Sequence, residues 1–263
     1  MSFVEIEYKE RELGWAMSEL QSHDYYELYF LVEGKREFFF ENKMFNVSAG
    51  TFCVIPPFAM HKTAGGSYKR VNINVSPDLL TQRERELLER LCSDVVFTLG
   101  QELYEPLFNL IIKGAGVNFA DTGEKNAILL SFIHTALYML EEARLSKLAY
   151  GAIAKEEKVD THILEAVSYI NESFREELTL DGISERFFIS KNSLSARFKA
   201  TMGCSVMQYV AFVRLSRAKE LLSTTAKSIE EISELCGYSS ANYFSLSFKK
   251  SVGISPMAYR KTK

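Results

Sequence analysis

Two stretches fifty residues apart follow one pattern. "FKATMGCSVMQY" runs from 198 to 209 and "FKKSVGISPMAY" from 248 to 259; both fit F-K-x-x-x-G-x-S-x-M-x-Y. This repeat constrains the fold more than any overall composition. Both copies must reach the same local structure, and the chain between them sets their separation. The repeat extends upstream, where "TLDGISERFFISKNSLSARFK" lies over "SIEEISELCGYSSANYFSLSFK". Ile183 and Ser184 match Ile232 and Ser233 at an offset of 49, while Phe198 and Lys199 match Phe248 and Lys249 at 50. Two copies are too few for a solenoid. They suit a pair of helix-turn-helix units.

The physics of one unit is legible. Thr179 or Ser228 is placed to cap a short helix with an acidic residue in its first turn. Leu180 and Ile183, like Ile229 and Ile232, face inward. A tight turn follows, in which Gly237 supplies a positive φ. Ser190, or the pair Ser239 and Ser240, caps the next helix. There Leu194 and Phe198, or Phe244 and Phe248, are buried at i, i+4. The opposite face carries Asn192, Ser195, Ala196 and Lys199 in the first unit, and Asn242, Ser245, Leu246 and Lys249 in the second. That row is where a major-groove helix displays base-reading groups. A long helix over 205–223 sets the distance between units; successive major-groove visits lie roughly 34 Å apart. On pattern alone, a helical bundle with no nucleic acid remains open.

Residues 161–260 resemble the DNA-binding domain of the AraC-type transcription regulators. "ISELCGYSSANYFSLSFKKSVGISPMAYR" follows that family's signature almost position by position, and "VRLSRAKELL" is similar to its linking helix. The resemblance implies binding to double-stranded DNA and contact with RNA polymerase. One departure matters. The family often places Arg just after the recognition-helix Ser, where this chain has Ala196 and Leu246, so the common Arg–guanine contact is missing there. Asn192 and Asn242 remain as adenine readers, and Leu246 can meet a thymine methyl. Lys191, Arg197, Lys199, Lys249 and Lys250 are expected on phosphates. Ser240, at a helix start, completes the DNA-facing set.

The first 76 residues read as strands rich in aromatic and β-branched residues, with "GKR" and "ENK" at turns and a double Pro ending "GTFCVIPP". "HDYYELYFLVEG" is H-x3-E-x6-G and "GTFCVIPPFAMH" is G-x5-P-x4-H. The pair resembles the two motifs of a cupin β-barrel, in the arrangement of the sugar-sensing barrel that precedes AraC-type domains. Strand parity puts His23, Tyr25, Glu27 and Tyr29 on one face, inward in a cupin, and His61 joins them. Metal-binding cupins use three His and one Glu. Here His23, Glu27 and His61 match three positions, Gln21 stands at the fourth, and Phe58 and Gly65 depart from the second motif. The expectation is therefore no metal and no cofactor, with a small polar effector such as a sugar bound by the inward set. A metal-dependent cupin enzyme and a ligand-free scaffold are the rivals.

From Pro77 helical spacing takes over: one helix from Ser76 with Leu79, Leu80, Leu87, Leu88 and Leu91 on one face, a short strand at "VVFTL", then two more helices. The apolar helix "NAILLSFIHTALYMLEEARL" needs cover on more than one side. In the resembled family such helices make a homodimer interface. The expected organisation is multidomain: a cupin-like barrel over 1–76, a helical dimerisation segment over 77–153, a linker over 154–160, and an all-α domain with two helix-turn-helix units over 161–263. Charge follows this division. Residues 160–263 hold 14 Lys+Arg against 11 Asp+Glu, leaving 17 and 23 of the chain's totals to the acidic remainder. The four cysteines show neither a C-x-x-C pair nor zinc-finger spacing and are expected reduced. The charged start and the 14-residue limit of apolar runs argue for a cytoplasmic protein without membrane contact.

Overall fold

A computed structural model describes residues 2–12, 20–92, 96–116, 122–146 and 160–263. Among the described residues, six antiparallel strands form the first module: β1 Val4–Arg11, β2 Tyr26–Phe40, β3 Lys43–Ser48, β4 Thr51–Ile55, β5 His61–Val75 and β6 Val96–Thr98. They lie in the order β1-β5-β2-β4-β6, with β3 paired to β2. The sheet is cupin-like. "GKR" is not a turn: β2 runs through it for 15 residues, with register shifts between Leu31 and Glu33 and between Gly34 and Arg36. Gly34 makes this possible. Its φ is +97°, and a Cβ there would lie 2.3 Å from the Ser67 carbonyl oxygen. Such bulges bend a strand and reset its alternation. Even-numbered Phe38 thus joins odd-numbered Tyr29 and Leu31 on the inner side.

The other face of the sheet, with Leu28, Phe30, Val54, Val71 and Ile73, is covered by α1 (Gln82–Cys92), α2 (Gln101–Ala115) and α3 (Thr122–Ser146) in a single core. Strands and helices from 4 to 146 therefore pack as one unit, across the expected boundary at 76. The helix expected from Ser76 is split. Pro77–Leu79 is a 3-10 turn, Leu80 is extended, and α1 starts afresh after Thr81. A reciprocal cap causes the restart: Glu84 Oε2 accepts from the Thr81 N–H at 2.8 Å, and the Glu84 N–H reaches Thr81 Oγ1 at 3.3 Å. α3 buries Leu129, Ile133, Ala136, Leu137 and Leu140 against its neighbours. Tyr138 and Leu145 stay exposed at 43% and 67%.

The second module is α4 (Thr161–Ser173), α5 (Leu180–Arg186), α6 (Lys191–Met202), α7 (Val206–Thr224), α8 (Ile229–Leu235), α9 (Ala241–Val252) and α10 (Pro256–Lys261). Asp160 precedes α4; the rest of the expected linker, 154–159, lies outside the described residues. The repeated motif now has a physical account. Phe198 meets Tyr209 edge-on at 5.6 Å and 71°, and Phe248 meets Tyr259 at 5.5 Å and 71°. Gly203 and Gly253 end α6 and α9 in the left-handed region, at φ +80° and +88°. Ser205 and Ser255 cap the following helices through their side chains. α7 spans about 28 Å by helical rise. Its first half (Val206, Tyr209, Val210, Val213) completes the first unit's core, and its second half (Ala218, Leu221, Leu222) the second's.

The two turns differ where the repeat predicts sameness. Gly237 takes φ +72° and packs so closely on Arg175 that a Cβ would sit 2.8 Å from backbone. The matching residue of the first unit is Phe188, which holds φ +53° with its side chain 97% exposed. A bulky residue there is strained. Phe188→Gly is expected to stabilise the chain by roughly 0.5–1 kcal/mol, strain relief exceeding the added freedom of the unfolded state. Chemical denaturation of the two proteins checks the sign.

Candidate functional site

The candidate nucleic-acid interface is built twice on one plan. In α6, Leu194 and Phe198 are fully buried; in α9, Phe244 and Phe248 are. Helical geometry then turns the opposite row to solvent. Asn192, Ala196 and Lys199 are exposed and Ser195 is half-buried; Asn242, Leu246 and Lys249 are exposed and Ser245 is half-buried. Lys250 is exposed as well. Ser190 and Ser240 cap their helices by accepting from the N–H groups of Ser193 and Tyr243 at 3.3 and 3.2 Å, so the Ser240 hydroxyl is engaged in the cap. Tyr243, 60% exposed at the start of α9, is a surface aromatic that the pattern reading passed over. Its signal was its place beside Asn242, one position off the predicted row.

Two predicted phosphate contacts are occupied by ion pairs. Arg197 grips Asp160 with Nε and Nη2, and this guanidinium holds the Asp160 carboxyl below its ordinary range. Lys191 Nζ lies 2.6 Å from Asp181 Oδ2 on the surface. Exposed pairs of this kind contribute about 0–1 kcal/mol, so the Lys191 pair costs little to open. Arg197 has a bidentate partner to leave.

The second site is the inner face of the sheet. β2 pairs Glu27 with Asn74 and Tyr29 with Asn72 of β5. Alternation then sends Arg70, Asn72 and Asn74 inward while Val71, Ile73 and Val75 enter the helix-side core. Glu27 Oε1 accepts from Asn72 Nδ2 at 2.6 Å, with Arg70 Nη1 at 3.9 Å. Glu27 Oε2 lies 3.0 Å from His23 Nε2 and 3.6 Å from His61 Nε2. Burial pushes the Glu27 carboxyl up, but hydrogen bonds and charge from His23 and His61 prevail and hold it below the carboxylate range. Tyr25 stacks flat on His23 at 3.8 Å. Burial, then the Glu27 charge, raises the Tyr25 hydroxyl to about 12. Tyr29 is deeper, under the Arg70 guanidinium at 5.4 Å.

The five predicted effector residues therefore divide by depth. His23 and Tyr25 line a cleft of about 640 Å³, whose far wall is Gln208, Phe212, Leu215 and Lys219 of α7. Glu27, Tyr29 and His61 lie behind them, buried. Arg70, Asn72 and Arg36 belong to the same polar interior and were missed. R-x-N-x-N over 70–74 was their signal, since polar residues alternating with Val and Ile mark an inward polar face. Arg36 spans the bulge, donating from Nη1 to the Gly65 and Gly66 carbonyls at 2.9 Å and lying over Tyr68.

The rim of the first module also touches the second. Ser216 of α7 sits with its Oγ 2.6 Å from Ser22 Oγ and 2.9 Å from the Phe58 carbonyl oxygen, which Ser22 Oγ approaches at 3.0 Å. Two hydroxyl protons serve these three contacts. Phe58 holds φ +66°, and its N–H donates to the carbonyl of His23. Lys62 Nζ donates to the Met202 carbonyl at 3.1 Å, and Lys263 pairs with Asp24. Leu20, Phe39, Met44 and Met60 share one apolar cluster with the first helix-turn-helix unit. All four cysteines are free. Among the described residues no helix is long and apolar enough to cross a membrane.

Comparison with known proteins places both modules. Residues 4–129 match the model of an AraC-like ligand binding domain, and 183–262 match that of a helix-turn-helix domain. The HTH-type transcriptional activator RhaR of Pectobacterium carotovorum is 36% identical over 103 residues, 39% of this chain and 36% of the relative. The Xylose operon regulatory protein of Escherichia coli K12 is 34% identical over 101 residues, 38% of this chain and 26% of the relative. The Probable transcriptional regulator LumQ of Photobacterium leiognathi is 23% identical over 245 residues, 90% of each chain. The chain spans about a third of the length of the RhaR relatives it matches. The sensor model ahead of the twin units carries the assignment: the chain belongs to the AraC-type family of transcription regulators.

Proposed function

We propose that the protein regulates transcription by gripping double-stranded DNA with α6 and α9 and responds to a small polar effector, a sugar or sugar derivative. One observation carries the DNA reading. At matched positions of both units the chain exposes Asn and Lys on a helix whose opposite side is locked into a core. Asn192 and Asn242 read adenine edges, and Lys199, Lys249 and Lys250 hold phosphates. Selection of bound DNA from a random pool tests this; recovery of two short A·T-leaning blocks about one helical turn apart supports it, and unselected pools oppose it.

The effector enters the cleft at His23 and Tyr25, backed by the polar interior. No catalysis is required. The cleft is walled by both modules, so an effector there has different contacts when the rim leaves α7. That difference in affinity between two states is what control requires. The rim contact at Ser216 is the coupling element, since Ser22 and Phe58 flank the effector residues His23 and His61. Ser216→Ala is expected to shrink the effector-dependent change in DNA affinity several-fold while effector binding itself, read by thermal shift, persists. An unchanged effector response in that variant removes Ser216 from the pathway. The exposed Tyr138 and Leu145 support α3 as the face of a homodimer, with RNA polymerase as the proposed partner on promoter DNA.

A further inference from the structure

We infer that the inner face of the sheet is built for an anionic polyhydroxy effector, a sugar acid or a sugar phosphate, whose charged group is held by Arg70 and Arg36. Charge leads to it. Both guanidiniums are buried, at 6% and 2% exposure. Glu27 is the one buried carboxylate on this face among the described residues, and His23 and His61 already lean on it at 3.0 and 3.6 Å. Glu5 and Glu7 of β1 point to the same side, but Glu5 is exposed and the half-buried Glu7 pairs with Lys9 at 2.7 Å. Two guanidiniums and two imidazoles thus stand against a single buried carboxylate. Burying charge is costly unless an opposite charge accompanies it, and this cluster is short of negative charge whatever the imidazoles carry.

Donors and acceptors sort the same way. Arg70 Nη1 is 3.9 Å from Glu27 Oε1, an ion-pair distance too long for a hydrogen bond, and the Arg70 Nε–H is buried with no acceptor. The Arg36 guanidinium lies 4.4 Å from the centre of the Tyr68 ring, and that of Arg70 lies 5.8 Å from the same ring. Each cation presents a flat fork matched to carboxylate or phosphate oxygens. Burial lowers the Arg36 guanidinium from its ordinary range, and the Arg70 charge adds to this; an anion held by both relieves both. Asn72 and Asn74 supply the complement. Asn72 Nδ2 donates to Glu27 Oε1, so its Oδ1 is turned from the carboxylate. The Oδ1 atoms of Asn72 and Asn74 are buried acceptors that meet no donor, suited to hydroxyl groups beside the anionic one. The Arg70 charge also reaches the Tyr25 hydroxyl, where it opposes the upward push of burial and Glu27. The cluster thus stands directly behind the cleft that His23 and Tyr25 line. The inference deepens the effector reading by naming the effector's class, and rests on it for entry through the cleft and for any effect on DNA.

The test uses the full chain without DNA. Nitrogen NMR follows the Arg70 Nε–H signal, assigned by its loss in Arg70→Lys, as inorganic phosphate or acetate replaces sodium chloride at constant ionic strength. A saturable shift with at least one of these anions is expected, and its absence from the folded wild-type protein overturns the site. Calorimetry then compares hexose phosphates and hexuronates with their neutral parent sugars. At least one charged member is expected to bind more than about 10-fold tighter than its parent, and the arm that shows it tells phosphate from carboxylate. No tighter binding by any charged member overturns the anionic class. Arg70→Gln is expected to abolish the preference by weakening the charged member roughly 10–100-fold, the worth of a charge-assisted hydrogen bond; unchanged binding overturns the assignment to Arg70. Circular dichroism checks folding, Arg36→Gln serves if Arg70→Gln does not fold, and the wild-type titrations decide if neither does. A charged sugar that binds but leaves DNA affinity unchanged supports the site and counts against the effector reading. A neutral sugar that binds as tightly and alters DNA affinity does the reverse, so the two failures are distinguishable.

Discussion

Phe248→Ala lowers the stability of the second helix-turn-helix unit by about 3–5 kcal/mol, the range for removing a fully buried Phe. Phe248 is 0% exposed and packs against Phe244 at 5.7 Å and Tyr259 at 5.5 Å. Its neighbours come from α9 itself, α10 and the second half of α7, so collapse into the cavity would bend the rod shared by both units. Denaturation should show the loss, and hydrogen exchange should place it in α8, α9 and α10 with α4 to α6 still protected. Phe198→Ala removes the matching ring from the first unit. There the cluster includes Leu20, Phe39, Met44 and Met60 of the sensor, so its damage should spread to the hairpin of β2 and β3. A loss below 1 kcal/mol in Phe248→Ala would mean that the unit repacks around the hole.

Asn242→Ala changes base preference at one operator position and costs about 1–3 kcal/mol there, with other positions unaffected. Asn192→Ala does the same at a second position one turn away. Lys249→Ala gives the contrasting signature. It weakens binding to every sequence and lowers the slope of log affinity against log salt by about one, because one phosphate neutralisation is lost. Both residues are exposed on the same face of α9; only the chemistry of their ends separates the expectations. Affinity profiles over a panel of single-base operator variants at two salt concentrations distinguish them. Uniform weakening by Asn242→Ala contradicts its role as a reader.

The reader was legible because each of its signals is local. Ser caps, a Gly at the end of each recognition helix and Phe–Tyr pairs eleven residues apart each act within about a dozen residues, so the repeat could be read from the sequence and the structure repeats it. Phe188 escaped, since nothing in "ERFFISK" marks a left-handed residue. The turn after α5, closed by the Phe188 and Ile189 N–H groups on the Glu185 and Ser184 carbonyls at 3.2 and 3.0 Å, holds that conformation against the residue's own preference. In the sensor, strand parity put Glu27 and Tyr29 on the inner face and the second motif brought His61 to them, whereas His23 lies ahead of β2, where alternation does not reach. "GKR" misled because Gly serves a bulge as readily as a turn, and only pairing with Ser67 and Tyr68, more than thirty residues away, decides between them. The same bulge swaps which side chains face inward, so Phe38 and Arg36 could not be assigned before β2 was known to be continuous. The separate helical segment was misdivided for a similar reason: the apolar faces of α1 to α3 show that they need cover, but not that the sheet's back supplies it. Arg197 was given to a phosphate because its neighbour Asp160 lies 37 residues earlier.

The sensor's rim and the reader's rod meet at Ser216, and that junction ties the two halves of the account together. An effector acts through it only if the rim holds α7 differently with the cleft filled. The twin grip on DNA comes first, since without it there is nothing to regulate. Hydroxyl-radical footprinting of the full chain on a selected operator measures it most directly. Two protected patches on one face of the duplex, roughly 34 Å apart, are predicted, with the patch assigned to α9 lost in Phe248→Ala and the other retained. A single patch, or both patches surviving that substitution unchanged, would contradict the account.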